Sequence, residues 1–156
     1  HHVIQVAFGW TNSHLYSFMI GNEEFSLMEY ELDTEYQDSK KHRLMEFSEV
    51  EFEYLYDFRD YWEHHIQIVQ KLKGKEPFTA ICVDGRGKCP PEDVGGIPGF
   101  TEFLESMRKE DHPERDSNIE WYGSVFDPRD IRIHRINYLL SLSLLTLYYV
   151  TSLRHH

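Results

Sequence analysis

The sequence is poor in cysteine. Its two cysteines, Cys82 and Cys89, are too few for the disulfide framework of a small secreted protein. We therefore expect a cytoplasmic location, with thiols that are free or bound to a metal. The sequence shows no signal peptide, and it contains no internal repeat, which argues against solenoid and propeller architectures.

Basic residues are also scarce. The chain has 16 Lys and Arg against 27 Asp and Glu, for a formal net charge of −11. Residues 23–63 alone hold fourteen acidic and four basic residues, a pattern typical of a solvated face. Nucleic-acid binders usually carry the opposite charge, so a protein partner is favoured over DNA or RNA. The basic segments 108–115 and 129–135 also contain acids, and they predict nucleic-acid binding only weakly.

Long hydrophobic runs are absent except in one place. Residues 136–153 carry no charge over eighteen positions, which just reaches the length of a membrane span. The run also contains one Asn, three Ser and two Thr. A buried carboxyl-terminal helix or a partner-binding segment is therefore favoured over a membrane span, and no membrane association is expected.

The chain does have the size and the aromatic content of a folded domain. Its 156 residues predict a single domain over 1–156, and ten Tyr, ten Phe and three Trp can supply a core. Apolar spacing predicts the end of a helix up to Phe8, with Gly9 as its cap. A strand is predicted from His14 to Ile20, with a return strand that begins at Phe25, and then an irregular loop over 33–49.

Two later segments have clear periodicity. Alternating apolar residues predict a hairpin with strands over 50–58 and 62–68, joined by the three residues 59–61. Residues 98–109 follow the spacing of an amphipathic helix, with Pro98 in the first turn. The following 112–118 predicts the end of that segment. Asp127 is expected to cap another helix, or that helix starts a few residues later. The predicted class is α+β, a mainly antiparallel sheet packed against helices.

The segment 82–96, CVDGRGKCPPEDVGG, leaves several kinds of site open. Its glycine spacing fits neither a Walker loop nor a dinucleotide fingerprint. Cys82 and Cys89 are farther apart than usual zinc pairs, and a metal would need further ligands such as His64, His65 or His112. Cys89 could instead be a nucleophile with His64 and with Asp57 or Asp60. The alternative is a rigid surface loop shaped by its prolines and glycines.

Four strings together resemble the plasmid pRiA4b ORF-3-like proteins: GWTNSHLYSF, YLYDFRDYWEHHI, CVDGRGKCPPEDVGGIPGFTEFLE and FDPRDIRIHRIN. The resemblance extends from about His2 to Asn137 and implies an α+β fold without an established reaction. It also implies a strand upstream of His1 and an association with plasmids or other mobile elements. Arg59 stands where the family usually has Gly, so a turn with positive φ would be strained there.

The motifs and the charge together predict a non-enzymatic binding or accessory module with a protein partner. The candidate binding surface consists of eight motif residues: His14, Asp57, Asp60, Trp62, His64, Cys89, Glu92 and Asp93. The alternative is a metal-assisted or thiol-based hydrolase that uses Asp57, His64 and Cys89. Candidate metal ligands are Cys82, Cys89 and His64. The sequence specifies neither a cofactor nor an oligomeric state.

Overall fold

The computed structural model describes residues 1–27, 36–70 and 80–142. The residues cluster into two compact units, each described by itself below. The helical unit comprises His1–Asn12, Lys75–Val94 and Pro98–His156, and the sheet unit comprises Ser13–Gly74 and Gly95–Ile97. The single domain predicted over 1–156 stays a prediction.

The sheet unit is built on a mainly antiparallel sheet, which has five strands within the described residues. These are β1 (Tyr16–Ile20), β2 (Glu23–Ser26), β3 (Gln37–Asp38), β4 (Glu51–Tyr56) and β5 (Trp62–Gln67). Their order is β3-β2-β1-β4-β5, and every neighbouring pair is antiparallel except β2 with β3. The α+β class is confirmed, and β1 with β2 and β4 with β5 form the two expected antiparallel pairs. The return strand β2 begins at Glu23 and not at Phe25.

Alternation along β4 explains the core of the sheet unit. Phe52, Tyr54 and Tyr56 are buried, whereas the residues between them are exposed or half-buried. The strand predicted over 50–58 was too long at both ends, where Val50 and Phe58 are 52% and 45% exposed. Both lie outside β4, so they escape the strand geometry that turns alternate side chains to one face.

The hairpin turn is longer than the three residues predicted. It runs over 57–61, because Asp57 and Phe58 already belong to the turn. The positive φ angles fall on Asp57 (56°) and Tyr61 (57°) and not on Arg59, so Arg59 carries none of the expected strain.

The segment 33–49 was predicted as an irregular loop. Residues 33–35 lie outside the described residues, and 36–49 contain β3 and two short 3-10 turns. The prediction was wrong for this part, since two-residue strands and single turns have no periodicity to detect.

The helical unit contains the α-helices of the described residues and the segment around Cys89. The helices are α1 (His2–Phe8), most of α2 (Gly96–Arg108), α3 (Arg115–Tyr122) and α4, residues 133–142 up to the end of the described range. Gly9 ends α1 at φ 78°, as predicted. Phe103, Met107 and Phe126 form the buried core, so the apolar face predicted for α2 is confirmed.

Helix α2 ends at Arg108, before residues 112–118, as predicted. Helix α3, which was not predicted, begins at Arg115 inside that turn-forming segment. The cap predicted at Asp127 was wrong. Asp127 does not cap a helix, since the next helical residue is 133. Its Oδ1 instead accepts a hydrogen bond from the Arg129 backbone N at 2.9 Å and closes a local turn.

The uncharged run over 136–153 is described only as far as residue 142. Residues 136–142 continue α4, and Leu140 is buried there, at 1% exposure. Residues 143–153, and with them most of the predicted buried segment, lie outside the described residues. In the part of the chain that is described, no helix has both the length and the apolar character needed to cross a membrane.

Candidate functional site

Asp57 organises the hairpin turn of the sheet unit. The residue is 4% exposed, and its Oδ1 accepts a hydrogen bond from the Arg59 backbone N at 3.0 Å. Its own backbone N donates to the Leu15 carbonyl, and its carbonyl accepts from the Tyr61 N. Asp tolerates the left-handed conformation better than most residues. The carboxylate therefore has a clear structural role at this turn.

His14 is the partner of that carboxylate across the sheet. Its Nδ1 lies 3.6 Å from Asp57 Oδ2, and its ring packs edge-on against Tyr56 with the centroids 5.8 Å apart. The Tyr56 hydroxyl in turn accepts a hydrogen bond from the Ser13 backbone N at 3.1 Å. The structure thus brings His14 and Asp57 together, two of the eight predicted surface residues.

Asp60 links the two most specific motif strings. Its Oδ2 accepts a hydrogen bond from the Gly95 backbone N at 3.0 Å, which joins the hairpin turn to the Gly95-Gly96 pair inside the sheet unit. Gly96 has φ 66°, and a Cβ atom there would lie 2.7 Å from the Asp60 carbonyl oxygen. Glycine is therefore required by both conformation and space.

Trp62 and His64 both lie on β5. Trp62 is buried opposite Tyr56, whereas His64 is half-buried opposite Tyr54. The Nδ1–H of His64 donates to the Tyr54 carbonyl at 3.2 Å, because a carbonyl can only accept. Burial lowers the pKa of His64 and favours its neutral ring.

The CPPED loop, residues 89–93, is held in the helical unit by Glu92 and by Trp10, which lies near the start of the first motif string. The Trp10 Nε1–H donates to the Pro90 carbonyl at 3.0 Å. The backbone N and the hydroxyl of Thr11 both donate to Glu92 Oε2, at 2.8 and 2.5 Å. Glu92 thus joins the loop to Thr11, eighty-one positions away in the chain.

The other end of the same segment is also pinned. The Asn137 side chain bonds both backbone groups of Cys82, accepting from its N at 2.7 Å and donating to its O at 3.0 Å. The Lys88 ammonium lies over the rings of Tyr122 and Phe126, 5.4 and 5.1 Å from their centroids. The predicted rigid loop thus has identifiable anchors at both ends.

Both cysteines of this segment are free thiols and half-buried. Burial raises the pKa of the Cys89 thiol to about 12. A nucleophilic cysteine needs the opposite shift, because the thiolate is the reactive form. Metal binding by Cys82, Cys89 and His64 stays a prediction.

We expect Cys89 to react very slowly with iodoacetamide. In a Cys82→Ser variant at pH 8, its alkylation should be at least about a hundredfold slower than that of a model thiol, because so little thiolate is present. The alkylation rate should rise with pH over the range in which the protein stays folded. In urea, which unfolds the protein, it should equal the rate of the model thiol. A rate equal to the model thiol at pH 7 in the folded protein would contradict this expectation.

The eight predicted surface residues are distributed over both units. His14, Asp57, Asp60, Trp62 and His64 belong to the sheet unit, and Cys89, Glu92 and Asp93 belong to the helical unit. Their grouping into one binding surface, and the triad of Asp57, His64 and Cys89, stay predictions.

The helical unit also contains a cleft that the sequence did not reveal. It has a volume of about 300 Å³ and lies between α2, α3 and the end of the CPPED loop. Its lining residues are Asp93, Val94, Gly99, Glu102, Phe103, Glu114, Asn118 and Trp121. The amphipathic pattern of α2 pointed to Phe103, but α3 was missed, and the cleft was missed with it.

Comparison with known proteins decides the family. The family model described as plasmid pRiA4b ORF-3-like protein matches residues 1–135. The chain belongs to this family. Among curated relatives, an uncharacterized protein of Sinorhizobium fredii, y4hQ, is 38% identical over 128 residues. The matched region covers 80% of this chain and 66% of that relative, so the chain spans just under two thirds of its length.

One solved structure is also similar to this chain. It is a protein of unknown function, MM3350, from Methanosarcina mazei Go1, with a TM-score of 0.74 and 29% sequence identity. The match covers 86% of this chain and 79% of that one. The names of the family and of both relatives assign no activity, so the four motif strings identify a pRiA4b ORF-3-like protein without indicating a reaction.

Proposed function

We propose that this pRiA4b ORF-3-like protein is a non-enzymatic binding module that engages a protein partner. The observation that carries the proposal is the use of the motif carboxylates. Three of them accept a hydrogen bond from a backbone N–H of the chain itself: Asp57 from Arg59, Asp60 from Gly95 and Glu92 from Thr11. Carboxylates used in this way position loops, and rigid loops on a scaffold often form recognition surfaces.

A thiol hydrolase is less well supported. The raised pKa of Cys89 disfavours the thiolate, and the Nδ1–H of His64 is committed to a backbone carbonyl. Asp57 is buried in the hairpin turn, where its carboxylate accepts from the Arg59 backbone N. Asp57 and His64 therefore have local structural partners that account for them.

Nucleic-acid binding through the two basic segments is also less well supported. Arg129 pairs with Asp127 at 3.2 Å and Arg132 with Asp130 at 2.8 Å. In the other segment, the Arg115 guanidinium donates to the carbonyls at the end of α2. Positive charges matched by nearby acids neutralise few phosphates.

The partner is expected among proteins encoded on plasmids or other mobile elements. The family description refers to a plasmid reading frame, and this is the support for that choice. The formal charge of −11 further favours a partner with a basic surface.

The proposal is tested by isolating the tagged chain from its native host after mild crosslinking, with the tag alone as the control. Mass spectrometry should find a protein enriched with the chain, and the enrichment should survive nuclease treatment. The two purified proteins should then bind each other directly. Enrichment that disappears with nuclease, or a failure of the purified components to bind, would count against a protein-binding module.

A further inference from the structure

The cleft between α2 and α3 combines negative charge with an aromatic wall. Among the residues that the structure describes, three that line the cleft are acidic, Asp93, Glu102 and Glu114, and none is basic. Trp121 is 52% exposed on the same wall and packs edge-on against the buried Phe103, with ring centroids 5.8 Å apart. Such an exposed indole in a concave acidic surface is well suited to a cation.

Asn118 adds an oriented acceptor to the cleft. Its Nδ2–H donates to the Ser106 hydroxyl at 2.8 Å, and Ser106 is fully buried, at 0% exposure. Because the Ser106 hydroxyl itself donates to the Phe103 carbonyl at 2.8 Å, the amide is held in one orientation. The side-chain carbonyl of Asn118 is then the end that can accept from a ligand.

Two of the carboxylates have no neutralising partner among the described residues. Within residues 1–27, 36–70 and 80–142, neither Glu102 nor Glu114 makes a side-chain hydrogen bond or an ion pair. The carboxylates of Asp93, Glu102 and Glu114 also do not form a group compact enough for a single metal ion in that part of the chain. An organic cation with several donors therefore fits the cleft better than a bare ion.

We propose that this cleft binds an arginine side chain of the protein partner. A guanidinium presents five donors in one plane, is weakly hydrated and stacks on aromatic faces, so it can satisfy carboxylates, the Asn118 carbonyl and the Trp121 indole together. A volume of about 300 Å³ accommodates one such side chain with neighbouring backbone. The inference rests on the proposed function and names the chemistry that the partner must offer.

The test uses glycine-serine peptides with one central residue, which is arginine, lysine or the neutral arginine analogue citrulline. Binding is followed by the NMR signals of the Trp121 indole N–H and the Asn118 side-chain amide. The arginine peptide should shift both signals saturably, with a dissociation constant on the order of 1 mM. The lysine peptide should bind more weakly, and the citrulline peptide should give no saturable shift. Equal binding of arginine and citrulline peptides would overturn the inference.

Charge variants separate the cleft from the overall charge. The double variant Glu102→Gln with Glu114→Gln should bind the arginine peptide at least about tenfold more weakly. The matched control is the double variant Glu110→Gln with Glu120→Gln, which removes two acidic charges from exposed residues that are not among the lining residues of the cleft. It should change binding by less than about twofold. A similar loss in both, with folding verified by circular dichroism, would overturn the inference.

The two proposals can fail separately. If the native partner binds the Glu102→Gln, Glu114→Gln variant as well as the unchanged chain, the arginine cleft is wrong and the binding module stands. If the arginine peptide binds as expected but no host protein survives the isolation test, the cleft stands and the proposed function fails.

Discussion

A Gly96→Ala variant is expected to lose about 3 kcal/mol of unfolding free energy. Gly96 has φ 66°, a conformation that costs an alanine about 1 kcal/mol. The added Cβ would also lie 2.7 Å from the Asp60 carbonyl oxygen, which belongs to the backbone and cannot rotate away. Urea unfolding followed by circular dichroism measures the loss.

Gly9→Ala is the matched control for this effect. Gly9 has φ 78°, but a Cβ there meets nothing within 4 Å. This variant should therefore lose about 1 kcal/mol, from conformation alone. Equal losses at Gly9 and Gly96 would show that the close approach to Asp60 contributes nothing to stability.

Asp57→Ala is expected to destabilise the protein by about 3 kcal/mol. The change removes the buried acceptor of the Arg59 N–H and the pairing with His14, and it places alanine at φ 56°. Asp57→Asn keeps the acceptor and the tolerance for positive φ, so it should lose only about 1 kcal/mol. Thermal and urea unfolding of the two variants check the difference.

An exposed turn of the same kind provides the control for Asp57. Asp127 Oδ1 also accepts from the backbone N two residues ahead, but its side chain is 49% exposed. Water can replace that acceptor, so Asp127→Ala should lower the free energy of unfolding clearly less than Asp57→Ala does. If Asp57→Ala lowers the free energy of unfolding no more than Asp127→Ala does, burial does not explain the contribution of the Asp57 carboxylate to stability.

Much of the fold could be predicted because apolar residues recur at regular spacing along its main strands and helix. Alternation along β4 and β5 and the amphipathic spacing of α2 each follow from burial on one face. Prediction failed where the period was short or interrupted. The eight residues of α3 follow a turn-like segment, and the two-residue β3 has no pattern at all.

Less of the candidate site could be predicted. The motif residues were identified by type and string, but their partners were not, because Thr11 and Glu92 meet across 81 positions and Asp60 and Gly95 across 35. Neither the composition nor the family resemblance indicated the cleft residues Glu102, Glu114 and Trp121. They resemble ordinary exposed residues until α2 and α3 are placed side by side.

The sequence by itself determined the acidic charge, the hairpin, the amphipathic helix and the family, because these depend on residue types and local spacing. The tertiary structure alone decided what the motif side chains do. A carboxylate such as Glu92 is chemically the same in a catalytic site and in a loop anchor, and only its neighbours separate the two. Here those neighbours are backbone N–H groups of the chain itself, and the cleft arises where α2 and α3 pack through Phe103.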